Sequence, residues 1–306
     1  MLKDRIIATF RFFDLQDTSL TLLEVHKFLL SDHFDLASFI DESFELKPGL
    51  TSLPLETASV AEVLQCLEEE CRNKVVSKYG YYALCGREEL IDKRLHGYRF
   101  GVRRERLIRR FVPFMGYLPF VAGAGLVGSQ ALGLQKPGSD IDMLVLVNPR
   151  FMWLARFFVT LYFQVLGLRR HGTRVANRFC LNHYVALGKC LQFDKNLYTA
   201  SEYAKMRPLV SPLQVNNFKA LNSTWMEYFF PNFVAEFNRF VGVSRIKLVL
   251  EKMLDNKFGW FIETQLKAFQ YRRLNVGEFI VATDDELSFH PDNRKRELFQ
   301  RFFEFK

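Results

Sequence analysis

A chain of 306 residues with 42 Lys and Arg against 34 Asp and Glu, a formal charge of +8, is long enough for two domains or one domain with additions. Hydrophobic residues at 49% beside 25% charged residues exclude wholesale disorder. The five cysteines are odd in number with no CxxC pair, and none of the six histidines falls in an HExxH spacing, so neither a disulfide framework nor a structural zinc site is expected.

The first stretch, MLKDRIIATFRFFDLQD, carries charges throughout and does not read as a secretory signal, which with the reduced thiols suggests the cytoplasm. DRIIATFRFFDL and SLTLLEVHKFLL place apolar residues at helical spacing, with Ser19 as the expected cap of the second helix. After a loop containing Pro48, Gly49 and Pro54, ASVAEVLQCLEEE sets Val60, Val63, Leu64 and Leu67 on one helical face. KVVSKYGYYALCG then alternates like two strands joined near Tyr79 and Gly80. Three helices followed by a ribbon resemble a winged-helix module over residues 1–86. Glu62, Glu68, Glu69 and Glu70 make its third helix acidic, which opposes contact with phosphate.

Residues 87–117 read as a basic helical linker. From Arg87 to Arg110 nine Lys or Arg stand against four acids. Two readings remain open. Arg103, Arg104, Arg106, Arg109 and Arg110 contact a nucleic-acid backbone, or the stretch is a solvated helix with Leu90, Leu95, Leu107 and Ile108 as its apolar stripe.

The chemistry is concentrated between Val127 and Val147, VGSQALGLQKPGSDIDMLVLV. FVAGAGLV reads as a strand, Gly128 and Ser129 as a turn opening a short helix, and DIDMLVLV as a second strand. With period two, Asp140, Asp142, Leu144 and Leu146 share one face and Ile141, Met143, Val145 and Val147 the other. The two carboxylates point the same way, their Cα atoms about 7 Å apart. They repel unless a cation lies between them, and hard oxygen donors without a histidine pair favour Mg²⁺ or Mn²⁺ over zinc. The glycine turn and serine hydroxyl suit a phosphate, so Gly128 and Ser129 are the expected holders of a nucleoside triphosphate beside the metal ligands Asp140 and Asp142.

VGSQALG, six intervening residues, then DIDMLVLV resembles the signature of the DNA polymerase β-like nucleotidyltransferase superfamily. The resemblance implies an α+β fold: a small mixed sheet as a nucleotidyltransferase core over residues 118–195, flanked by the winged-helix-like module and a helical C-terminal domain, 196–306. It implies metal-dependent transfer of a nucleoside monophosphate from a nucleoside triphosphate to a hydroxyl acceptor, and a third carboxylate on the next strand. That strand, RFCLNHYVALG, has no acid. Alternation puts Cys180, Asn182 and Tyr184 on its polar face, so Asn182 is expected in the third catalytic position, with His183 pointing into the core. The missing acid keeps open a catalytically weak protein that binds nucleic acid or a partner.

The apolar run from Phe151 to Leu168 is interrupted by Arg156 and Gln164 and follows a strand, so it reads as a helix packed on a sheet, with no membrane expected. Beyond it, NLYTASEYAKMRPLV, FKALNSTWMEYFF and the stretch from Ser244 to Leu274 carry helical patterns. Thr199, Glu202, Lys205 and Arg207 lie where they could reach a nucleotide, and Asp194 or Glu202 where it could fold back toward the site. Phe229, Phe233 and Phe237 read as core. SFHPDNRKRELFQRF reads as a capped terminal helix with Asp292 or Asn293 near its start.

Overall fold

The computed structural model describes residues 1–32, 56–131, 133, 135–191, 195–235, 245–272 and 280–289. The loop with Pro48, Gly49 and Pro54, Asp194, Phe237 and the terminal helix with Asp292 and Asn293 lie outside the described residues.

Helix α1 (Leu2–Asp14) buries Ile6, Phe10 and Phe13 at helical spacing. A two-residue strand β1 (Leu20–Thr21) runs into α2 (Leu22–Lys27). The cap of α2 is Thr21, not Ser19: the Thr21 hydroxyl accepts from the Glu24 amide while the Glu24 carboxylate accepts from the Thr21 amide. Ser19 is buried and donates to the Leu90 carbonyl. Ser59 and Glu62 close the same reciprocal box on α3 (Val60–Glu69). Strands β2 (Val75–Lys78) and β3 (Tyr81–Leu84) are joined through Tyr79 and Gly80, both at positive φ, the conformation of a tight hairpin turn. β1 pairs with β3, giving a three-stranded sheet in the order β1-β3-β2.

The basic stretch forms one long helix, α4 (Glu89–Phe111), followed by a 3-10 turn over Val112–Tyr117. Much of its charge is used internally. Arg94 is buried and donates to both Glu24 carboxylate oxygens at 2.6–2.7 Å. Arg104, fully buried, donates to the Lys136 and Pro137 carbonyls at 2.6 and 3.2 Å. Arg109 pairs with Glu105. Arg104 therefore cannot contact a nucleic-acid backbone, while Arg103, Arg106 and Arg110 are exposed. At Gly97 and Gly101 the helix has no side chain where Gly133 and Gln135 press on it: a Cβ on Gly97 would lie 3.1 Å from the Gly133 carbonyl, and one on Gly101 would overlap the Gln135 amide. The expected linker is thus a platform for the loop that leads to Asp140.

A second, six-stranded mixed sheet comprises β4 (Val121–Leu126), β5 (Ile141–Val147), β6 (Phe179–Ala186), β7 (Arg207–Val210), β8 (Ile280–Ala282) and β9 (Glu286–Phe289) in the order β7-β4-β5-β6-β9-β8. β5 and β6 are parallel, and α6 (Met152–Val165) makes the crossover between them; the other pairs are antiparallel. The short α5 (Gly128–Ala131) lies between β4 and β5, and α7 (Leu197–Lys205), α8 (Pro212–Leu221), α9 (Ser223–Phe229), α10 (Arg245–Leu254) and α11 (Lys257–Tyr271) follow β6. Three strands thus come from the region expected to be helical. β7 contains Pro208 and is an edge strand, where a missing N–H is tolerated.

Two cores lie on opposite faces of this sheet. One joins Leu144, Leu146 and Val185 to Ile6, Phe10 and Phe13 of α1 and to Tyr203, Phe218, Phe229 and Phe233. The other joins Ile141, Met143, Val145 and Val147 to Trp153, Val159 and Phe163 of α6. Among the described residues no helix is long and apolar enough to cross a membrane.

Candidate active site

Asp140 and Asp142 flank the first residue of β5, and Asp142 shares the face of Leu144 and Leu146. The Val127 amide donates to the Asp142 carbonyl at 3.1 Å and brings the turn after β4 alongside. Gly128 has φ +67, and a Cβ there would stand 2.6 Å from Asp142 Oδ2 and 3.2 Å from its Cβ and Cγ. Both the left-handed backbone and the close approach require glycine. Ser129 follows, half-buried, on the first turn of α5.

The third member of the cluster is Cys180. One ligand atom from each of Asp140, Asp142 and Cys180 lies within 4.8 Å of the other two. Pairing explains the choice: β5 and β6 set Asp142 opposite Cys180, then slip in register so that Leu144 faces His183. This irregularity breaks the alternation expected for β6. Cys180 rather than Asn182 stands beside Asp142, Tyr184 turns to the opposite core with Val145, and Asn182 is half-buried within the slip. His183 takes the register of Leu144, on the site's side of the sheet, where Nδ1 shares a hydrogen bond with the Tyr203 hydroxyl at 3.2 Å and Nε2 lies 3.4 Å from Glu286.

Sequence reasoning missed Arg170. Its amide donates to the Phe179 carbonyl, which fixes the segment after α6 against the start of β6. Its Nη1 donates to Asp140 Oδ2 at 2.6 Å and lies 3.5 Å from Cys180 Sγ. The only sequence signal was a basic pair, Arg169 and Arg170, just past an apolar helix.

Burial, then the neighbouring Asp140 carboxylate, then Glu202 push the Asp142 carboxyl up to about 7, against the opposing hydrogen bond from Cys180 and the charge of Arg170. Burial and the two aspartates raise the Cys180 thiol strongly. One guanidinium therefore does not fully compensate the paired carboxylates. Glu202, on α7, lies near enough for its charge to bear on Asp142. Its neighbours on α7 and β7 do not line the site as surface ligands. Thr199 is buried, the Lys205 ammonium lies 3.9 Å from the Phe13 ring centroid, and Arg207 pairs with Glu105 at 2.6 Å. Burial holds Lys205 well below its usual basicity.

No curated protein and no solved structure matches the chain. The family model described as "Nucleotidyltransferase domain" matches residues 105–196, which span the last two turns of α4, the glycine-serine turn, both aspartates and β6. That match supports placing this part of the chain in the nucleotidyltransferase superfamily.

Proposed function

We propose that the protein is a nucleotidyltransferase that uses a divalent cation to move a nucleoside monophosphate from a nucleoside triphosphate to a hydroxyl acceptor. The observation that carries this reading is the convergence of Asp140, Asp142 and Cys180 beside the Gly128–Ser129 turn, inside the matched segment. The donor set fits a divalent ion. Two carboxylates and a thiol lie within reach of one point, and the Asp142 carboxyl, raised by burial and by Asp140, is a group whose charged form a cation stabilises. Carboxylates favour Mg²⁺ or Mn²⁺, and the softer sulfur tilts the choice toward Mn²⁺.

Bound there, the cation would neutralise the triphosphate and the departing pyrophosphate. Asp140 and Asp142 would hold it with Cys180, rather than Asn182, beside them, and Gly128 and Ser129 would carry the triphosphate. The acceptor oxygen bonds to the α-phosphorus, the bond to the bridging oxygen breaks, and pyrophosphate leaves. We assign the hydroxyl proton to Glu202, whose charge already reaches Asp142; such assistance contributes about 10²–10⁴ in rate. We read residues 1–86 as a winged-helix-like module that does not read DNA, because Glu62, Glu68, Glu69 and Glu70 are all exposed on α3.

The absence of a carboxylate on β6 favours one second reading, a fold that binds nucleotide without turning it over. Incubation with α-labelled nucleoside triphosphates, Mg²⁺ or Mn²⁺ and pooled RNA, protein and small-molecule acceptors separates the two. Label transfer that disappears in Asp140→Asn/Asp142→Asn is expected. Metal-dependent nucleotide binding without transfer supports the second reading, and no metal-dependent binding of any nucleotide sinks both.

A further inference from the structure

Helices α10 and α11 bury charged side chains and expose large apolar ones. On α10 the stripe turned to the sheet is Lys247, Glu251 and Leu254: Lys247 Nζ donates to the Val121 carbonyl, and Glu251 accepts from the Phe120 amide at 2.7 Å. On α11 the inward stripe includes Glu263, which accepts from the Trp153 and Leu154 amides at 2.9 and 2.7 Å, and Gln270, which donates to the Trp153 carbonyl. Large apolar side chains stand among the exposed residues of both helices. Ile246, Val249 and Met253 are exposed on α10, and Phe258, Trp260 and Phe261 on α11. Helices that bury charged side chains and leave large apolar ones in solvent offer apolar surface to another phase.

We propose that the outer face of α10 and α11 lies on an anionic lipid bilayer, held in the plane of the interface without crossing it. Charge selects this occupant. Arg245, Lys252 and Lys257 accompany the apolar stripe, with Asp255 the opposing acid. A second copy of the chain related by a two-fold axis would bring the same cations together. The C-terminal segment 290–306, with five basic and three acidic residues, has the same sign. Anionic headgroups complement the cations, while aromatic and aliphatic side chains enter the acyl boundary, the pattern of an interfacial helix. Leu254, Ile262 and Leu266 pack with the core of Met143 and Val145, on the sheet face opposite the one Asp142 shares with Leu144. A chain bound this way keeps the carboxylates turned toward water.

Trp260 reports the event directly, since it is 52% exposed while Trp153 and Trp225 are 1% and 3% exposed. The full chain is floated with vesicles of phosphatidylcholine alone and with about one-third phosphatidylserine. We expect flotation and a blue shift of tryptophan emission with the anionic vesicles, the shift lost in Trp260→Phe. Each cation near the surface strengthens partitioning about fivefold, and about 1 M salt releases the protein. Val249 and Met253 are 58% and 66% exposed, so Val249→Glu/Met253→Glu leaves the fold intact, checked by its melting curve, and weakens partitioning about a hundredfold. No flotation with anionic vesicles, or flotation unchanged in the double variant, overturns the proposal. So does a dimer in light scattering that the double variant dissociates, since a second copy then covers the face.

Discussion

Replacing Gly128 with alanine tests whether the turn and the aspartate are built around each other. Two costs add at this position. The backbone at φ +67 is left-handed, which costs a residue bearing a Cβ about 1–2 kcal/mol. The new Cβ would also stand 2.6 Å from Asp142 Oδ2 and 3.2 Å from Asp142 Cβ, so the aspartate or the turn must shift, an overpacking cost of about 1–3 kcal/mol. Gly80 supplies the control, because its φ is +77 and a Cβ there meets nothing within 4 Å. Urea unfolding followed by circular dichroism is expected to show Gly80→Ala losing about 1–2 kcal/mol and Gly128→Ala about 2–5 kcal/mol. Mn²⁺ titration should show metal affinity reduced about tenfold or more in Gly128→Ala alone, since the displaced group is a proposed ligand. Equal losses of stability at the two positions, with unchanged Mn²⁺ affinity, would refute the close approach.

Two further changes probe how the helices are held. Burial alone would push the Glu24 carboxyl up, but the hydrogen bonds and charge of Arg94, together with the hydrogen bonds from Thr21, outweigh it and hold it below the ordinary carboxyl value of 4.5. Its stabilising contribution is therefore complete above that value and lost as pH falls through the lower folded-state value. Glu24→Gln should destabilise the protein by about 3 kcal/mol at neutral pH, with the gap to wild type closing in melts taken at progressively more acid pH; a gap independent of pH would contradict the ion pair. Glu263→Ala strips the N-terminus of α6 of two buried acceptor contacts and should cost about 2–4 kcal/mol in urea unfolding, with Glu263→Gln restoring part of it. A loss below about 0.5 kcal/mol in Glu263→Ala would mean the cap is idle.

The legible parts of this sequence were those governed by local rules. DIDMLVLV alternates with period two, and the division of Leu144 and Leu146 from Met143 and Val145 between two cores is the division that period gives. The break between VGSQ and DIDM followed from Gly and Pro punctuation in the same way. What could not be read is set by pairing between distant segments. The pairing of β5 with β6 sets Cys180, not Asn182, beside Asp142, and nothing within RFCLNHYVALG encodes where it meets β5. Arg104 looks like any other arginine of a basic helix, yet two carbonyls 32 and 33 residues away bury it. RPLV, IVA and ELSF are too short to oppose the helical patterns around them; RPLV and ELSF became strands on the open edges of β4 and β6, and IVA on ELSF in turn. Thr21 displaced Ser19 as a cap because only Thr21 has a glutamate three residues on.

The continuity of the core beneath Leu144 limits how the chain can be divided. Phe13 of α1 packs on Phe28, and Phe28 packs in turn on Phe230, while the Lys205 ammonium lies over the Phe13 and Phe28 rings. The Arg94 guanidinium, on the far side of any cut placed at residue 87, has its carboxylate partner at Glu24. A fragment beginning there would expose aromatic side chains, leave the buried Arg94 guanidinium without its counter-charge and return the Lys205 amine to water. The first 86 residues are in that sense the roof of the domain that follows, and whatever binds to them acts on α4 and, through Arg104, on the loop that carries Asp140.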